Sequence, residues 1–293
     1  MTPGGYGGAD PPISRRGLGG IVPPGASRAP VYVYPGHAAP LATARPGIRR
    51  HKENGRARFR YLDWPEGRMP WFDLPLDQLR DYRTGTAEPP DLDLWWQRRL
   101  DEARATARPP VLARYETEIY APVEVFDTEF SGAGGDRIRA WYLRPPGADG
   151  QTQVVVKFIG YGGGRGMPAE HVLLPALGYA VFVMDTRGQG GRWTTGATGD
   201  RHGDPAAGPE NAQVMTRGIT RPEGYYYTRL FTDAVLAVEA ASELTGAPRV
   251  AVSGVSQGGG LALATAALIP QAVAICHADV PFLCDIQRGI TLA

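Results

Sequence analysis

Four short apolar runs constrain this chain more than any other feature: "QVVVKFIGYGG", "YAVFVMDTRGQGG", "RVAVSGVSQGG" and "AVAICHADVPF". Each ends in a loop that carries glycine or aspartate. A half-exposed strand would alternate apolar and polar residues, and these do not. Segments with helical character, 170–177, 226–243 and 257–268, separate them. Continuous apolar strands alternating with helices predict an α/β fold with a doubly wound, mostly parallel sheet covered on both faces. In such sheets the chemistry collects at the carboxyl ends of the strands, and all four loops fall there. A 43% hydrophobic content supplies a sizeable core for one large domain.

Patterning begins at Met69. "MPWFDLPLDQLRDY" offers Phe72, Leu74, Leu76 and Leu79 as apolar anchors. "DLDLWWQRRLDEARA" predicts a helix capped by Asp91 or Asp93, with Leu94, Trp95, Leu100 and Ala103 as its buried stripe. "YETEIYAPVEVFDTEF" and "RIRAWYLRPP" alternate as strands about a glycine-rich turn at 132–135. Residues 1–68 differ, with 10 Pro and 12 Gly and no sustained period. That composition cannot bury enough apolar surface to offset its ordering entropy. It reads either as a disordered basic tail or as upstream DNA translated from a start codon placed too early. The folded domain is then 69–293.

Net charge is +1, yet residues 1–68 hold 11 Lys+Arg against 4 Asp+Glu, so the remainder carries a balance of −6. A mildly acidic folded part argues against nucleic acid as a partner. The N-terminus shows no basic stretch followed by an apolar one, so no secretory signal is expected. The longest apolar run, 172–184, is interrupted by Pro175 and Gly178 and is too short for a bilayer. Cys276 and Cys284 form no disulfide framework and have no metal-ligand spacing. They read as two buried thiols in a reducing, cytoplasmic compartment, and no metal or other cofactor is expected.

The chemistry centres on "VAVSGVSQGGGLAL". Gly254-x-Ser256-x-Gly258 between a strand and a helix is a nucleophile-elbow pattern. A sharp turn lifts the Ser256 hydroxyl above the sheet, near the positive end of the helix that follows. Gly254 and Gly258 let helix and strand approach without Cβ clashes. The amide of Gln257 would be one oxyanion donor. The competing reading is a serine in a purely structural turn. A second donor is expected from "KFIGYGGGRG", at the amide of Tyr161 or Gly162. That loop shows no G-x-G-x-x-G register, and the chain has no G-x-x-x-x-G-K-[ST], which disfavours phosphate binding. In "MDTRGQGGRW", Asp185 and Arg187 could touch substrate, but a buried ion pair or loop brace accounts better for them. Tyr225, Tyr226 and Tyr227 read as core or interface residues.

These loops together resemble the acetyl xylan esterase/cephalosporin C deacetylase family, carbohydrate esterase family seven. Arg187-Gly188-Gln189 matches its R-G-Q motif, and Gly254 to Gly259 its G-x-S-Q-G-G elbow. "FDLPLDQL", "YYYTRLFTDAV" and "DVPFLCD" look like further family stretches, and the likeness spans roughly 69–293. It implies an α/β-hydrolase that takes acetyl groups from small substrates, such as acetylated xylo-oligosaccharides and the acetyl ester of cephalosporin C. It also implies no cofactor and a ring-shaped homo-hexamer. By position, Ser256 is the nucleophile, while Gln257 and Tyr161 supply backbone oxyanion donors.

One feature departs from that family. In this fold the catalytic order is Ser, acid, His. Only His277 follows Ser256, and Asp279 and Asp285 come after that histidine rather than before it. His277 reads as a core or loop residue. His37 and His51 lie in the tail, and His171 and His202 precede the elbow. The triad acid and histidine are therefore read as not present in this chain. The family's acid and His-Glu motif would lie past residue 293, so the sheet is expected to be truncated at its C-terminal side with an unpaired edge. A chain extended to include them should hydrolyse acetyl esters through Ser256, whereas this one keeps only what oxyanion donors and binding supply. A peptidase or lipase on the same scaffold, and a non-catalytic product, are the alternatives.

Overall fold

The computed structural model describes residues 31–32, 48–53, 56–61, 74–115, 118–120, 122–200, 214–282 and 284–288. In chain order the strands are β1 (Val31–Tyr32), β2 (Ile48–Glu53), β3 (Arg56–Tyr61), β4 (Val111–Arg114), β5 (Glu124–Ser131), β6 (Arg137–Arg144), β7 (Val154–Phe158), β8 (Ala180–Met184), β9 (Val250–Val255) and β10 (Val273–Asp279). The helices are α1 (Leu76–Asp81), α2 (Leu92–Ala105), α3 (Leu173–Ala176), α4 (Tyr226–Thr245) and α5 (Gln257–Leu268). One sheet has the order β1-β10-β9-β7-β8-β6-β5-β4, and β2 and β3 pair separately as an antiparallel hairpin.

The four apolar runs form β7, β8, β9 and β10, and all their mutual pairings are parallel. β6, β5 and β4 continue the sheet as an antiparallel meander. Parallel strands need crossovers: α4 carries the chain from β8 past β7 to β9, and α5 joins the neighbours β9 and β10. Two apolar clusters hold the layers together. One joins Val156, Phe182 and Val252 to Leu230, Val235 and Leu261 of the long helices. The other gathers Trp141, Leu143, Ile159, Val181 and Val183. β8 is buried at every position, which is why its sequence shows no alternation.

Several sequence expectations need correction. The helix at 170–177 is a 3₁₀ turn, Pro168–His171, followed by the four-residue α3. Pro175 has no amide hydrogen for a longer helix. On α2, Leu94 is exposed and the buried positions are Leu100 and Ala103, with Trp96 packing on Phe231. Residues 96, 100 and 103 have the i, i+4, i+7 spacing that the stripe follows. Asp91 sits at the N-cap without a side-chain capping bond. Leu76 is exposed, and Phe72 lies outside the described residues. Cys276 is buried but Cys284 is exposed, because it follows β10 on a loop outside the sheet. Within 1–68, where no strand was expected, β1, β2 and β3 occur. β1 pairs in parallel with β10, Val31 opposite Cys276, so two positions of the edge expected to be bare are occupied. Val255 and Ile275 are 49% and 44% exposed on β9 and β10. No helix among the described residues is long and apolar enough to cross a membrane.

Candidate active site

Ser256 stands alone between β9 and α5 with φ 56° and ψ −118°. A non-glycine residue there costs about 1–3 kcal/mol and persists only where its surroundings fix it. Three backbone bonds do so. The Ser256 amide donates to Asp279 O at 3.0 Å, and its carbonyl accepts from Gly260 N at 3.0 Å and Phe282 N at 2.9 Å. The flanking glycines are required sterically. A Cβ on Gly254 would overlap the Gly258 backbone, and one on Gly258 would overlap the backbone of Phe158. Ser256 thus sits at the N-cap of a 12-residue helix whose first amides lack intrahelical acceptors. Gln257, at the first helical position, is fully buried.

The R-G-Q segment joins this elbow to the loop after β7. Gln189 Nε2 donates to Gln257 Oε1 and to Tyr226 Oη, both at 2.9 Å, while its Oε1 accepts from Gly162 N at 2.7 Å. Tyr227 Oη donates to Gln257 Oε1 at 3.0 Å. The Gly162 amide is therefore consumed by Gln189, and of the two loop amides Tyr161 is the oxyanion candidate. The tyrosines are core residues, as expected, and burial pushes their hydroxyls well above the usual phenol range. Gly188, at φ 62°, makes the turn between Arg187 and Gln189.

Arg187 is completely buried and does not face a substrate space. Its Nε and Nη2 donate to the two carboxylate oxygens of Asp233 at 2.5 and 2.7 Å, and Nη1 lies 3.1 Å from Asp136 and 3.6 Å from Asp200. Burial opposes its charge, but the three carboxylates outweigh that and raise its pKa. Asp185 is a brace rather than its partner, accepting amide hydrogens from Arg165 at 2.7 Å, Thr186 at 3.1 Å and Ala197 at 2.6 Å.

Asp200 also binds Arg217, at 2.7 Å, and Arg229. Burial alone would raise its carboxyl, yet the hydrogen bonds from Arg229 and Arg217 and the charge of Arg187 hold it down at about 2, against 3.8 unperturbed. A depressed carboxyl stabilises the fold above its unfolded pKa and stops doing so as pH falls through the folded one. About 2 kcal/mol should therefore be lost between about pH 5 and pH 2. Urea unfolding at about pH 6 and about pH 3 tests this. The difference between the two should shrink in Asp200→Asn, and an unchanged difference would refute the assignment.

Ser256 Oγ has no hydrogen-bond partner among the described residues. His277 is half-buried on β10, with Nδ1 3.0 Å from Ser253 Oγ. His171 is buried, its Nε2 2.8 Å from Arg165 O, and burial lowers its pKa. Tyr82 Oη donates to Asp285 at 2.6 Å. His37 and His202 lie outside the described residues. Sequence reasoning missed Asp136, Asp200 and Asp233 as the partners of Arg187. They are distant in sequence, and no local pattern joins them. It also missed the contact between Ser253 and His277, for which adjacent apolar strands were the available signal.

Strand order, the strained serine and the helix that starts behind it define a class, the α/β-hydrolase esterases. Residues 69–293 match the family model for acetyl xylan esterase. An acetyl xylan esterase from Paenibacillus sp. R4 superposes with a TM-score of 0.65 at 32% identity, covering 75% of this chain and 68% of that one. Acetyl Xylan Esterase 1 from Thermoanaerobacterium sp. JW/SL YS485 gives a TM-score of 0.62 at 30% identity, with 75% and 68% coverage. The chain belongs to the acetyl xylan esterase family, whose members are carboxylic ester hydrolases.

Proposed function

We propose that this protein deacetylates small esters through an acyl-enzyme on Ser256. The observation that carries the reading is the backbone of Ser256, φ 56° at the start of α5. Strain of this kind, fixed by three hydrogen bonds, orients a hydroxyl toward reacting groups rather than into packing. Ser256 Oγ attacks the acetyl carbonyl, and the amides of Gln257 and Tyr161 hold the oxyanion. The alcohol leaves, and water releases acetate and restores the serine. The Gln189 to Gln257 and Gln189 to Gly162 bonds keep the two donor segments at a fixed separation. Acetylated xylo-oligosaccharides and acetyl esters of the cephalosporin C type are the substrates proposed. The family resemblance supports a homo-hexamer, and the two free cysteines fit a reducing cytoplasm.

The substrate class is tested by comparing p-nitrophenyl acetate with the octanoate. Acetyl preference of about tenfold or more in kcat/KM is expected, because each methylene that finds no pocket forfeits its transfer energy. Preference for octanoate would instead assign a lipase.

A further inference from the structure

A second serine has what Ser256 lacks. Lys157 of β7 pairs in register with Ser253 of β9, and Ser253 with His277 of β10, so the three side chains form one row on one face of the sheet. Ser253 Oγ and His277 Nδ1 are 3.0 Å apart. No other serine among the described residues has an imidazole nitrogen in hydrogen-bond reach. Lys157 and Ser253 line a cavity of about 220 Å³, together with Gly160, Glu170, His171 and Trp193. His171 Nε2 faces Arg165 O at 2.8 Å and so carries its hydrogen there. Its Nδ1 then accepts from Lys157 Nζ at 3.3 Å. In that tautomer Lys157 is the donor; burial lowers its pKa, and the charge of Glu170 opposes the lowering.

We propose that Ser253 is a second nucleophile, with His277 as its base and Lys157 as the cation facing the oxyanion. A nucleophile and base in hydrogen-bond contact, beside a fixed positive charge, is the minimum that acyl transfer requires. Ser253 Oγ bonds to the carbonyl carbon while its proton passes to His277 Nδ1. The C–O bond to the leaving group breaks and the departing alkoxide takes that proton. Water then attacks the acyl carbon and gives a proton to His277, the bond from that carbon to Ser253 Oγ breaks, and His277 returns the proton to Oγ as the carboxylic acid leaves. The cavity admits an acyl group of a few heavy atoms, since one water occupies about 30 Å³ of liquid. Glu170, held to Met167 N at 2.8 Å, adds negative charge at the wall, so neutral esters are the class accepted.

The proposal is independent of the role of Ser256. The full chain carrying Ser256→Ala is treated with a fluorophosphonate probe, digested and mapped by fragment ions. An adduct on Ser253 is expected, and its absence would overturn the proposal. This variant keeps Ser253, His277 and Lys157, so the result does not depend on altering the row. Adding His277→Gln should slow labelling by about 100-fold or more, and an unchanged rate would remove His277 as the base. Labelling of Ser256 in Ser253→Ala reports separately on the function proposed above.

Discussion

Asp233→Ala should lower the unfolding free energy by about 3–5 kcal/mol, the largest stability effect expected from any single substitution here. The loss has little to do with the attraction between Asp233 and Arg187 considered alone. Both groups are fully buried, and removing the carboxylate leaves a guanidinium without its bidentate acceptor and the Ala133 amide without its 2.8 Å bond. Asp136 and Asp200 remain near Arg187 at 3.1 and 3.6 Å but approach only Nη1. Replacing both partners with apolar residues of similar volume is the control. Arg187→Met with Asp233→Leu should recover much of the loss, since neither member of the pair is then left as an unpartnered buried charge and Asp200 keeps Arg217 and Arg229. Urea midpoints settle the point. An Asp233→Ala midpoint equal to that of the parent would show that the pair does not brace the fold.

In a Ser253→Ala background, Ser256→Ala should abolish the burst of p-nitrophenol that marks acyl-enzyme formation. In a complete triad, loss of the serine costs about 10⁶ in kcat. Ser256 has no imidazole partner among the described residues, so the steady-state loss should be far smaller, roughly tenfold to 100-fold, because oxyanion donors and binding act without the base. Burst amplitude is therefore the sensitive readout and turnover the insensitive one. A burst of undiminished size in the variant would exclude Ser256 as the acylated residue.

The parallel strands and the elbow were legible because local sequence determines them. A run such as Ala180–Met184 is a strand buried on both faces, and Gly254 is dictated by the backbone of Gly258 four residues on, while Gly258, which meets the backbone of Phe158, was legible through the elbow pattern. Helix α5 fell at the expected bounds for the same reason. Features that depend on distant pairing were not legible. The preference for Arg187 as a brace was sound, but Asp233 lies 46 positions away and nothing in its own helix marks it as the partner. The position of Leu94 was misjudged because α2 packs through Trp96, which tertiary contact decides. The Ser253–His277 contact required the register of β9 against β10, and sequence alone does not give that register.

Peptide mapping after an acid quench tests most directly whether Ser256 accepts the acetyl group. Trypsin leaves Ser253 and Ser256 on one peptide between Arg249 and Arg288, so fragment ions must separate them. An acetyl group on Ser256 is the predicted result. A protein that turns over p-nitrophenyl acetate and is acetylated only at other residues would contradict it.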